Sequence, residues 1–158
     1  MNKLFVTFGY TGMFPKAPGT VGSIAGALVA LPIVYFLGEQ GQSTLFLLAI
    51  LLTIIAIKPI DTYAKSVNRH DPKEVVIDEV AGIFIALSLS CNTISQFVLS
   101  FVFFRILDIA KPSIIGYCDR NVKGGLGVML DDIFAGVFAG LLSLAVYFIA
   151  SSFGVSLP

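Results

Sequence analysis

Apolar residues along this chain gather into long runs, interrupted by short polar stretches. A helix that crosses a bilayer needs about 20 mostly apolar residues, within a range of roughly 17 to 25. The first run, Val21 to Leu37, carries Gly22 and Gly26 in G-x-x-x-G spacing, which lets helices approach closely, and Pro32 as a kink position. The second, Ser43 to Ile57, is rich in Leu and Ile, and Pro59 predicts its end. A third helix is predicted from near Pro72 to Ser90. Its apolar part starts only at Val80, so it spans only if its polar first turns pack inside the protein. The fourth runs from Ile94 to about Ala110, with Pro112 as its stop. The fifth runs from Asp131 to Phe153, with Gly136 and Gly140 again in G-x-x-x-G spacing. The expected fold is all-α: an integral membrane helical bundle of about five membrane-embedded helices, forming a single domain.

Five spans divide the polar stretches between two sides. The N-terminal segment, Lys58–Glu79 and Arg105–Asp132 share one side; the turns at Gly38–Gln42 and Cys91–Thr93 share the other with the C-terminus. All ten Lys and Arg residues then fall on the first side, namely Lys3, Lys16, Lys58, Lys65, Arg69, Lys73, Arg105, Lys111, Arg120 and Lys123. Nine of the ten acids join them, Glu39 being the exception. The positive-inside rule makes that side cytoplasmic, so every group able to do polar chemistry sits at one interface.

Composition agrees with this reading. The chain of 158 residues is 56% hydrophobic and 13% charged, whereas a soluble domain is about one quarter charged. Its mean hydropathy is +0.92. The formal net charge is zero, so the total says nothing about partners, and no nucleic-acid partner is expected. Cys91 and Cys118 form no C-x-x-C pair, and His70 is the lone histidine, so neither a disulfide scaffold nor a His-based metal site is expected. Met1 to Tyr10 does not read as a cleaved signal peptide.

Three polar blocks hold the candidate chemistry. In Asp71-Pro72-Lys73-Glu74-Val75-Val76-Ile77-Asp78-Glu79, Asp71 and Glu74 have capping-box spacing around Pro72. On such a helix Asp71, Glu74 and Asp78 share a face, as caps or as ligands. Asp78 and Glu79 stand just before an apolar span, where an unpaired charge is expensive, so they are expected to hold a cation or pair with Lys or Arg. In Arg105-x-x-Asp108-x-x-Lys111, three charges fall near one helical face. They read either as a snorkelling, self-paired helix end or as a phosphate clamp, Arg105 and Lys111, beside a metal ligand or base, Asp108. The third block runs from Asp119 and Arg120 through a glycine-rich loop, Lys123-Gly124-Gly125-Leu126-Gly127, to Asp131 and Asp132. Such a loop turns backbone N–H groups toward an anion, and either terminal aspartate is also a helix-cap candidate. Before the first span, Pro15–Thr20 reads as a rigid turn, with Thr20 a further phosphate donor.

Oxygen-only ligands suit Mg²⁺ or Mn²⁺. Beside Arg and Lys they make an apparatus for phosphoryl transfer to water, with a carboxylate taking the proton. Other phosphatase chemistries fit less well. A cysteine-phosphatase loop needs Arg six positions after Cys, but Phe97 and Gly124 stand there. No D-x-D phospho-aspartate motif is present.

At these blocks the chain resembles the bacterial phosphatidylglycerophosphatase A family. The matching pieces are PKAPGTVGSIAG (Pro15–Gly26), DPKEVVIDEVAG (Asp71–Gly82), FRILDIAKP (Phe104–Pro112) and DRNVKGGLGVMLDDIFAG (Asp119–Gly136). They stand in family order between Pro15 and Gly136, an interval that spans most of the chain, and the last is the most specific. The resemblance implies a Mg²⁺-dependent enzyme of the bacterial cytoplasmic membrane. It would remove the terminal phosphate of phosphatidylglycerophosphate to give phosphatidylglycerol. The catalytic candidates are Asp78, Glu79, Asp108, Asp131 and Asp132. Asp78, Glu79, Asp131 and Asp132 are the expected metal ligands. Arg105, Lys111, Lys123, Gly124, Gly125 and Thr20 are assigned to the phosphate, with Asp71, Glu74, Asp119 and Arg120 as secondary candidates.

Two rivals remain at this stage. A headgroup phosphotransferase needs Asp-Gly followed by a spaced Ala-Arg, which is not found. A cation transporter or non-catalytic membrane subunit accounts for the helices, but a transporter buries ionisable residues near mid-bilayer, and here the mid-span positions are apolar. The sequence leaves open the oligomeric state, the number of metal ions, and whether the G-x-x-x-G pairs serve contacts within or between chains.

Overall fold

The computed structural model describes residues 2–69, 71–90 and 93–155; His70 and Cys91 lie outside them. Among the described residues the chain forms seven α-helices and no strand. They are α1 (Asn2–Val6), α2 (Pro18–Leu37), α3 (Glu39–Ser66), α4 (Ile77–Ser90), α5 (Ile94–Ala110), α6 (Ser113–Asn121) and α7 (Gly125–Ser152).

The centre of the bundle is α4. Its sequence, IDEVAGIFIALSLS, is apolar nearly all round after the first turn, and a helix without a polar face is stable only when enclosed. The structure encloses it: α2, α3, α5 and α7 pack around it, and all but Glu79, Ser88 and Leu89 are buried. At 1.5 Å per residue it is about 21 Å long, too short to cross a bilayer alone. By length and composition three helices can cross one: α2, α3 and α7. The expected count of about five spans is not reproduced, because α4 and α5 have only 14 and 17 residues.

Both G-x-x-x-G pairs work within the chain. A Cβ on Gly22 would lie 2.5 Å from Val76 Cβ, and one on Gly26 would lie 3.2 Å from Val80 Cα, so α2 closes onto the start of α4. Gly136 faces the carbonyl of Gly82, and Gly140 that of Ala86, so α7 closes onto the same helix from the other side. Away from the charged end, Ser90 Oγ lies 2.5 Å from Ser100 Oγ, linking α4 to α5. Ser90 also donates to the carbonyl of Ala86. Ser100→Ala therefore leaves Ser90 bonded, and we expect it to cost only about 0.6–1 kcal/mol in a detergent-unfolding equilibrium.

Several features differ from the sequence pattern. Pro59 does not end α3, which runs on to Ser66; a proline inside a membrane helix is tolerated where neighbouring groups serve the freed backbone. The third helix starts at Ile77, not near Pro72. Val75 N donates to the carbonyl of Pro72 in a turn, and Val76 N donates to that of Val6, tying this segment to the N-terminal arm. Asp71 and Glu74 thus do not form a capping box on α4, and they share no helical face with Asp78. The Arg105–Lys111 trio is also broken: α5 stops at Ala110, and Lys111 is left-handed at φ 44°. Finally, α7 starts at Gly125, so Asp131 and Asp132 lie almost two turns inside it and are not caps.

Candidate active site

Three chain segments that the sequence separates meet at one end of α4. The first turn of α4 supplies Asp78 and Glu79; α7 supplies Asp132, which packing at Gly136, one turn further on the same face, holds against α4. One carboxylate oxygen from each of Asp78, Glu79 and Asp132 lies within 4.8 Å of the others. Asp78 and Asp132 are buried. Among the described residues, Glu79 Oε2 and Asp132 Oδ1 find no hydrogen-bond partner, and both are buried. Like charges about 4 Å apart repel by roughly 4 kcal/mol at an effective dielectric near 20. Three such groups with unshared oxygens therefore fit a hard divalent cation, and the all-oxygen donor set suits Mg²⁺.

Asp131, although adjacent to Asp132, serves a different partner. It accepts a 2.5 Å hydrogen bond from Lys111 Nζ, which also donates to Asp119 at 2.5 Å. Burial works against the ammonium of Lys111. The bonds to Asp119 and Asp131 outweigh that effect and raise its pKa above the ordinary lysine value. The left-handed backbone at Lys111 lies in the short link between α5 and α6, next to Pro112.

Arg105 is the second cation. Its guanidinium donates to Asp108 Oδ2 at 2.6 Å and to Ser23 Oγ at 3.0 Å through one nitrogen, and to Thr20 Oγ1 at 3.3 Å through another. The Arg105 and Asp108 side chains are only 13% and 14% exposed, so this pair is sheltered from screening. The start of α2 completes the wall. Pro18 stands at N1 as its fixed φ favours, the N-cap Ala17 makes no side-chain cap bond, and Gly19 leaves the room that Glu79 Oε1 occupies.

These groups line one cavity of about 600 Å³. Asp71, Asp78, Glu79, Asp108, Asp119, Asp131 and Asp132 face it, against three cations, Lys73, Arg105 and Lys111. That excess of carboxylates repels a phosphate until a cation enters. The remaining sequence candidates lie elsewhere. Thr20 reaches the site through Arg105. Glu74 pairs with Arg69 at 3.5 Å, outside the cavity. Arg120 is exposed. Lys123 and Gly124 line a separate cleft with Asp61, and Gly125 N donates to that aspartate. Sequence reasoning did not single out Ser23, Gly19 or Asp61. Only Asp61 left a signal, a carboxylate two residues after a proline at the end of an apolar run.

An all-helical apolar bundle that gathers buried carboxylates and two sheltered cations around one cavity has the build of a membrane enzyme acting on phosphate esters. Residues 4–147 match the family described as Phosphatidylglycerophosphatase A, and the chain belongs to that family of phosphatases. It is 40% identical over 141 residues to phosphatidylglycerophosphatase A of Escherichia coli (strain K12), covering 88% of this chain and 79% of that protein. The Haemophilus influenzae protein of the same name is 32% identical over 150 residues, covering 94% and 89%. A Bacteroides thetaiotaomicron protein, provisionally named as a phosphatidylinositol-3-phosphatase, is 34% identical over 143 residues, covering 84% of each chain. No solved structure matches.

Proposed function

We propose that this protein is a multi-pass enzyme of the bacterial cytoplasmic membrane that hydrolyses phosphatidylglycerophosphate to phosphatidylglycerol and phosphate, with Mg²⁺, on the cytoplasmic face. The observation that carries the reading is the convergence of Asp78, Glu79 and Asp132 beside Lys111 and Arg105 in one cavity. The substrate comes from the two relatives named for it. The cytoplasmic orientation rests on the segregation of the Lys and Arg residues to one side when α2, α3 and α7 cross the bilayer.

Asp78, Glu79 and Asp132 would hold the ion, which supplies a Lewis acid toward a phosphoryl oxygen and makes a hydrolytic water more acidic. The chain's own residues do the rest. Lys111, kept protonated between Asp119 and Asp131, offers a positive charge to the monoester. Arg105, held in place by Ser23 and Asp108, presents a planar donor in the same cavity. Asp108, beside the carboxylate trio, is placed to take the proton of the attacking water. A headgroup phosphate lies at the level of the interface, so the acyl chains stay against the apolar helices and need no enclosed tunnel.

The direct test is phosphate release from phosphatidylglycerophosphate in mixed micelles by the detergent-purified protein. Release with Mg²⁺ and none with chelator is the expected result. No release under either condition, from protein that runs as one folded species, removes the reading. Phosphatidylinositol 3-phosphate belongs in the same assay, given the Bacteroides relative; we expect the glycerophosphate lipid to be the faster substrate. Arg105→Lys retains the charge but cannot span Ser23, Thr20 and Asp108 together. Its expected effect is a rise in KM of about tenfold, with a smaller change in kcat.

A further inference from the structure

We infer that Asp61, on α3 and outside the catalytic cavity, is a positioning residue that sets the register of α7 and through it the place of Asp132. The inference rests on the metal-dependent reading above.

The start of α7 has no side-chain cap of its own. Its first residues are Gly125, Leu126 and Gly127, its N-cap is Gly124, and no side chain from the flanking residues caps it. A glycine-rich helix start without a Ser, Thr, Asp or Asn cap leaves its first N–H groups unserved and can slide or fray. The missing acceptor comes from 64 residues away: Asp61 Oδ1 accepts from Gly125 N at 2.6 Å. A carboxylate at that end also complements the helix dipole.

The contact is built to be close. Gly124 has φ +76°, and a Cβ there would lie 2.7 Å from Asp61 Oδ1. Gly125 is packed so tightly on the carbonyl of Ile57, one turn before Asp61, that no side chain fits between them. Both glycines are thus required by the approach of α3, which makes the glycine loop a docking point for Asp61. Lys123 and Gly124 line the cleft that holds Asp61, not the cavity that holds Asp78 and Asp132. From Gly125 to Asp132 is about 10 Å of rigid helix. A shift at the pinned end is therefore carried directly to the carboxylate that must meet Asp78 and Glu79.

The test uses Asp61→Ala and Asp61→Asn in the full-length, detergent-purified protein. Two quantities are read: Mn²⁺ binding, from the electron paramagnetic resonance signal of the free ion, and phosphate release from phosphatidylglycerophosphate as a function of Mg²⁺. For Asp61→Ala the Mn²⁺ dissociation constant and the Mg²⁺ midpoint should both rise about tenfold, in the range known for residues that orient ligands from behind. Saturating Mg²⁺ should recover most of kcat, and KM for the lipid should stay near wild type. Asp61→Asn keeps the acceptor oxygen, so its midpoint should stay within about threefold of wild type.

A role in stability alone would lower the yield of folded protein and leave both midpoints unchanged; that result overturns the inference. Equal shifts in the alanine and asparagine variants also overturn it, because the hydrogen bond would then not be the cause. If the wild type binds Mn²⁺ but releases no phosphate, the phosphatase reading fails and the Mn²⁺ series still decides the role of Asp61. If the wild type binds no Mn²⁺, both fall.

Discussion

Asp132→Asn is expected to lower phosphate release on the order of a thousandfold while leaving the protein folded and membrane-inserted. The substitution keeps the size of the side chain and one acceptor oxygen, so packing between α7 and α4 has little reason to change. What it removes is one negative charge from the trio that also contains Asp78 and Glu79. No salt bridge among the described residues involves Asp132, and its Oδ1 is buried without a hydrogen-bond partner there, so none is lost with the charge. If anything the free protein gains stability, since three crowded carboxylates become two. Loss of turnover with unchanged or higher stability is the signature of a group kept for function. Asp131→Asn supplies the contrast. That side chain is bonded to Lys111, which retains Asp119 as a partner, so a loss of tens of fold is expected. Initial rates at saturating Mg²⁺, with size-exclusion profiles as the folding control, separate the two. A wild-type rate in Asp132→Asn would remove that residue from the mechanism. Equal collapse in both variants would favour four ligands over three.

The contrast also shows what can be read along one dimension. The sequence places Asp78, Glu79, Asp131 and Asp132 at the ends of apolar segments, and the cost of charge beside lipid marks them as purposeful. Adjacent residues on a helix nevertheless point about 100° apart, so Asp131 and Asp132 could not both face the same ion by default. Which one faces α4 follows from the packing of Gly136, one turn beyond Asp132, on the carbonyl of Gly82. The sequence reading places the start of α7 at Asp131, while the helix begins six residues earlier, where Asp61 on a distant helix accepts from Gly125 N. The same kind of long-range contact misplaces the start of α4. Asp71, Pro72 and Glu74 have every local feature of a helix entry, but Val76 N is taken by the carbonyl of Val6. Local spacing predicts the extent of α5, since its Thr93 cap and the left-handed stop at Lys111 are local devices. Elements ended by their own residues were legible; those ended by a partner across the bundle were not.

Gly136→Val tests whether the close approach of α7 to α4 builds the site. Gly136 lies one turn beyond Asp132 on the same helical face, where its lack of a side chain lets the carbonyl of Gly82 approach within contact. Ile85 Cβ would stand 3.2 Å from a Cβ placed there, so the space is closed by backbone on one side and by a branched side chain on the other. Neither can swing away as the tip of a flexible chain could. Overpacking of a closed core costs about 1–3 kcal/mol, and the helices must part to accommodate it. A displacement of about 1 Å at Asp132 would itself cost on the order of a hundredfold in rate. The expected result is therefore at least that loss, with a lower unfolding temperature and weaker Mn²⁺ binding in the folded fraction. Gly154→Ala is the matched control, since nothing lies within 4 Å of a Cβ there and its strain comes from its φ of +73° alone. That variant should retain full activity. If Gly136→Val were folded and fully active, the meeting of Asp132 with Asp78 and Glu79 would not depend on the distance between α4 and α7. The carboxylate trio would then lose its structural basis.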